Sequence, residues 1–166
     1  MNPPSPEPWL RGPLEGVPPW VQPVFHSFLQ VREDLAAHTA GLSDEDVWRS
    51  LAPLPPLGFQ LRHIAGSVDR LTTYLMGGQV SPEQIATLKQ EATPGAPLAE
   101  LLRGVDEALA DAEERIRKIP AESLYEPRFI GRKQLPSSVL GLLVHLAEHT
   151  QRHLGQAITT AKLLRG

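Results

Sequence analysis

Proline breaks a helix because it lacks an N–H and clashes with the preceding turn. The seventeen prolines of this chain are clustered. Apart from Pro82, they fall before residue 24, between Pro53 and Pro56, around Pro94 and Pro97, and near Pro120, Pro127 and Pro136. The stretches left between the clusters are of helix length, so the clusters read as the gaps between helices.

Each of these stretches carries apolar residues at helical spacing. In the first, residues 20–39, these are Val21, Val24, Phe25, Phe28, Leu29 and Leu35, with Gly41 as a stop. A short extra turn is expected after Ser43. The second, residues 58–76, turns Leu61, Ile64, Ala65, Val68, Leu71 and Leu75 inward and ends at Gly77-Gly78. Ser81-Pro82-Glu83 has the form of a helix start, with Ser as cap and Pro at the first position. The third has the cleanest stripe, from Leu98 and Leu101 through Val105, Leu109, Ala112 and Ile116 to Ile119. The fourth begins near Ser137 or Ser138 and runs to Leu164. Residues 126–135 read as a basic, irregular loop, and no strand alternation of useful length is present. The expectation is an all-α chain forming one domain over residues 1–166: a four-helix bundle with long loops, residues 1–19 being a proline-rich lead-in. Up-down-up-down order is the preferred arrangement.

The chain has no cysteine, which excludes disulfides, zinc–thiolate sites, iron–sulfur clusters and cysteine nucleophiles. Sixteen basic and nineteen acidic residues form no basic patch, so no nucleic-acid partner is expected. The start, Met-Asn-Pro-Pro-Ser-Pro-Glu-Pro, is not built like a secretory signal. No apolar run approaches the roughly 20 residues that span a bilayer. A soluble, cytoplasmic protein without membrane contact is expected.

Chemistry concentrates in histidine. His145, His149 and His153 recur every four residues on the last helix. A step of four advances only about 40° around the axis, so the three point broadly one way. Two histidines so spaced can share one metal ion, and His63 on the second helix can supply a third nitrogen. The Glu that follows the first His in a zinc-protease motif is missing, which argues against a metalloprotease. By spacing alone, the histidines read equally well as partly buried, hydrogen-bonded residues. His26 and His38 lie off the apolar stripe and read as solvent-exposed.

Two segments carry a family resemblance. Phe59-Gln60-Leu61-Arg62-His63-Ile64-Ala65-Gly66-Ser67-Val68-Asp69-Arg70-Leu71 resembles the second-helix motif of the DinB / YfiT-like superfamily. His145-Leu146-Ala147-Glu148-His149-Thr150-Gln151-Arg152-His153-Leu154-Gly155-Gln156 resembles its last-helix motif. The resemblance implies a four-helix bundle, usually a homodimer, holding a divalent metal, often nickel or zinc. Carried over, the ligands are His63, His149 and His153, with His145 a pocket or supporting residue and ligation its lesser alternative. Relatives include thiol-dependent S-transferases and an isomerase, so the implied activity is activation of a small thiol or water toward a small-molecule substrate. A non-catalytic metal-binding or stress-response protein is the alternative. The chain departs from the family at Gln60, where members often carry His; Gln60 reads as a hydrogen-bond partner of a ligand or as a plain polar residue.

Other candidates are weighed on position. Arg70 would neutralise an anionic substrate or, as the favoured reading, form a surface salt bridge. Tyr74 reads as a core residue with its hydroxyl at the edge. Glu148 would accept the free N–H of a ligand from another helix, or form a solvated or interhelical salt bridge. Gly66 and Gly155 read as sites of close packing or of room beside the metal. Arg128, Arg132 and Lys133 form a solvated loop, or one that meets an anion.

Overall fold

The structure, a computed structural model, describes residues 6–165. Residues 1–5, which open the segment read as unlike a secretory signal, lie outside the described residues. The chain is mostly helical. Helix α1 spans Gln22–Thr39, α2 Asp44–Trp48, α3 Leu57–Leu75, α4 Pro82–Gln90, α5 Leu98–Ile116 and α6 Val139–Leu164. Helix α3 packs on α5 and α6, and α1 packs on α6 and more lightly on α5. Among the described residues no helix is long and apolar enough to cross a membrane.

Proline and capping chemistry set the boundaries. Helices α3 and α5 begin directly after Pro56 and Pro97. Ser43 and Ser81 cap α2 and α4, and in each the residue three further on, Asp46 or Gln84, returns a bond to the cap backbone. Ser138 Oγ accepts from the Gly141 N–H at 3.0 Å to start α6. Helices α1 and α3 stop where Gly41 and Gly77 adopt φ of +80° and +82°, a conformation that side chains with a Cβ resist.

The apolar stripes meet in one continuous core. Phe25, Phe28, Leu61, Ile64, Leu109, Ile116, Leu143 and Leu146 are almost wholly buried within it. Residues 6–18 lie across α1, held by a two-bond ion pair from Arg11 to Glu33 and by Gln22, whose side chain bonds the Leu14 and Val17 backbone.

Several expectations need correction. The segment read as an irregular loop contains an antiparallel hairpin, β1 Pro127–Ile130 with β2 Leu135–Ser138. Its strands are four residues long and each contains a proline, so no alternation was available to read. Arg128 is no solvated loop residue: its Nε–H donates to the Leu75 carbonyl at 2.8 Å, tying the hairpin to the end of α3. His26 and His38 are half-buried rather than exposed. The His26 ring lies 3.0 Å from the Gly12 carbonyl, covered by the N-terminal segment. Tyr74 is buried.

Gly155 also departs from expectation, because a Cβ there would meet nothing within 4 Å. Glycine in a helix interior costs about 0.5–1 kcal/mol against alanine. Gly155→Ala is therefore expected to raise the melting temperature by a few degrees. A lowered melting temperature would show a constraint at this position that the packing does not reveal.

Candidate metal centre

His63 comes from the middle of α3, and His149 and His153 from the middle of α6. The flanking residues Leu61, Ile64, Leu146, Thr150 and Leu154 are buried, so the core fixes the two backbones that carry the rings. One ring nitrogen from each histidine lies within 4.8 Å of the others. His63 Nε2 is 3.2 Å from His149 Nε2. The His63 and His153 rings stand 4.2 Å apart, and the His149 and His153 rings 4.6 Å.

The hydrogen bonds behind the rings decide which nitrogens are free. His63 Nδ1 donates to Glu91 Oε2 at 2.7 Å. His153 Nδ1 donates to Gln60 Oε1 at 2.9 Å, and Gln60 Nε2 donates in turn to Gln156 Oε1 at 2.9 Å. Proton on Nδ1 leaves the lone pair on Nε2. His149 Nδ1 is buried with no hydrogen-bond partner among the described residues.

Two Nε2 atoms at 3.2 Å repel if both present lone pairs, and a shared proton or a cation relieves the repulsion. Ligands about 2.0–2.1 Å from a tetrahedral ion stand roughly 3.3 Å apart. The donor set therefore fits a divalent metal. Imidazole nitrogens suit zinc, nickel, copper or iron alike, so the ligand type leaves the metal open.

Burial, the His63 ring and the nearby Arg152 charge push His149 and His153 below the usual histidine range, His153 to about 4. Neutral imidazole is the form that binds metal. In metal-free protein this has a stability consequence. Below about pH 6.5 the unfolded chain takes up protons that folded His153 refuses until about pH 4. The stability present above pH 6.5 is thus lost as pH falls through that window. Metal-free protein is expected to melt progressively lower from pH 7 to 4.5, and His153→Gln to decline less steeply. Equal slopes would remove His153 as the cause.

The remaining candidates separate. Gln60 is fully buried against His153. His145 is exposed; a further step of four turns it out of the seam, and its Nδ1 pairs with Glu148 Oε1 at 2.6 Å. Glu148 pairs with His145 and Arg152 on its own helix rather than with one of the three rings. The carboxylate behind a ligand belongs instead to Glu91, just past α4, which sequence reading missed. Nothing local marks it: it stands 28 positions from His63, in a polar run. Arg70 does form an ion pair, but a buried one, with Nη1 2.9 Å from Glu91 Oε1. Phe59, one turn before His63, stacks on its ring at 5.5 Å between centroids. A cleft of about 310 Å³ adjoins Gln60 and is lined by Gln60, Arg152, Gln156, Leu54 and Thr159, and by none of the three histidines.

A model of the DinB superfamily matches residues 27–157, from α1 to most of α6. The chain belongs to the DinB superfamily. No curated protein matches it. The three clustered histidines thus lie within the part that the DinB superfamily match covers, whereas the segment folded over the start of α1 lies before it.

Proposed function

We propose that the protein binds one divalent metal ion, zinc or nickel, through Nε2 of His63, His149 and His153. The observation that supports this most directly is the convergence of three ring nitrogens within 4.8 Å, two of them freed by hydrogen bonds on the opposite ring nitrogen. The same reading takes the four long helices as a four-helix bundle.

A bound ion would lower the pKa of a thiol or water and favour its thiolate or hydroxide. The chain's own residues do the rest. Glu91 and Gln60 orient two rings, and the half-buried setting keeps His149 and His153 neutral. The cleft beside Gln60 and Arg152 has room for a small molecule, and Arg152 brings positive charge to its rim. With no cysteine in the chain, any thiol comes from a small-molecule cosubstrate. The homodimer implied by the resemblance belongs to this reading: Trp20, Leu140 and Val144 are exposed around an apolar groove of about 400 Å³ between α1 and α6, surface suited to a second copy.

The test is elemental analysis of tag-free protein, then turnover of a small thiol with a model electrophile. Near-stoichiometric metal with turnover supports the enzyme reading. Metal without turnover across thiol and ester panels leaves a metal-binding protein, and absence of metal removes the proposal.

A further inference from the structure

Helix α4 buries none of its side chains. Its segment is held to α3 by polar contacts: Gln84 Nε2 bonds Asp69 Oδ2 and Thr73 Oγ1, and Arg62 reaches the Gln90 and Thr93 carbonyls. Yet the next residue, Glu91, is only 2% exposed. A buried carboxylate is strongly unfavourable unless it is paired. Here both oxygens face a partner: Oε1 lies in an ion pair with Arg70 but accepts no hydrogen bond among the described residues, and Oε2 accepts from His63 Nδ1.

The socket is written into one face of α3. His63, Gly66 and Arg70 lie three and four residues apart, hence on one side of the helix. A Cβ on Gly66 would fall 2.6 Å from Glu91 Oε1 and 2.7 Å from Arg70 Nη1. The absent side chain is what admits the carboxylate. An ion pair with Arg70 would by itself satisfy the charge; the second oxygen is aimed at the ring nitrogen opposite the one facing the other histidines.

We propose that Glu91 is a positioning residue for the metal centre: seated in the Gly66 gap and held by Arg70, it fixes the His63 ring with Nδ1 protonated and Nε2 turned toward the ion. This rests on the metal reading above and adds to it the residue that sets affinity. It also couples the polar α4 segment to the site, since Glu91 is the one residue there that reaches a candidate ligand.

The experiment uses tag-free full-length protein, Zn²⁺ alone as probe, and the variants Glu91→Ala, Glu91→Gln and Gly66→Ala. Zinc affinity is measured by competition with a chelator, and the His63 tautomer by ¹⁵N NMR of metal-free, histidine-labelled protein. Loss of an outer hydrogen-bond partner weakens metal binding about 10- to 100-fold. Glu91→Ala is expected to fall in that range and to lose the fixed Nδ1–H tautomer. Glu91→Gln, which keeps an acceptor oxygen, restores part of both. Gly66→Ala keeps every charge but displaces the pair, so it weakens zinc and loosens the His63 tautomer, whatever it does to the melting temperature. A merely structural Glu91 would lower the melting temperature and leave affinity and tautomer unchanged, and that result overturns the proposal. Wild-type protein that binds no zinc defeats the metal reading; the tautomer comparison then still decides whether Glu91 positions His63, and an unchanged tautomer in Glu91→Ala overturns it.

Discussion

Tag-free His149→Ala protein is expected to lose zinc affinity by more than the roughly 100-fold that removal of an outer partner can cost. His149 completes the triangle of rings, with its Nε2 3.2 Å from that of His63 and its centroid 4.6 Å from that of His153. Without it one nitrogen remains on each helix, and two ligands do not complete the usual three-ligand open site. The control is His145→Ala. That ring is also one turn from His149, at 5.3 Å, but it is exposed and paired with Glu148. It should retain affinity within a few-fold. Elemental analysis after dialysis against a chelator, followed by zinc titration, reads both variants. Stoichiometric metal in His149→Ala would strike that residue from the ligand set.

Phe28→Ala is expected to cause the largest loss of stability. Phe28 is fully buried on α1, in the core that α1 shares with α6. Truncating a buried Phe removes its transfer free energy and leaves a cavity, together about 3–5 kcal/mol. At about 2–4 °C per kcal/mol for a chain of this size, the melting temperature should fall by roughly 10 °C. The metal-free form is the one to melt, because a bound ion adds its own stabilisation by mass action. A fall of under about 2 °C would mean that the α1–α6 packing described above is wrong.

Much of the helical layout was legible because proline and serine act locally. Pro56, Pro97, Ser43, Ser81 and Ser138 mark helix starts whatever the rest of the chain does. The apolar stripes then identified the buried faces. The hairpin was not legible, because two four-residue strands with Pro127 and Pro136 offer too few positions for a period. Among the histidines the four-residue spacing was informative but did not select. Eight residues rotate the helix by about 80°, so His153 and His145 cannot both face α3, and spacing alone does not say which one does. An ion pair for Arg70 and close packing at Gly66 were legible, but Glu91, the partner of both, was invisible for a different reason. Their relation exists only after α4 folds back onto α3, and no local pattern records a return of 28 positions.

The ring-bearing helices have one more consequence. His63 and His149 are 86 positions apart, whereas His149 and His153 share adjacent turns of one helix. An ion at this point would staple a long loop shut, the kind of closure that removes most freedom from an unfolded chain. When the chain opens, the two imidazoles on α6 stay neighbours for as long as that helix lasts, while the third departs with α3. The cation would then remain loosely on the C-terminal helix as an anchor, and recapture of the imidazole from α3 would mark the return of the closed chain.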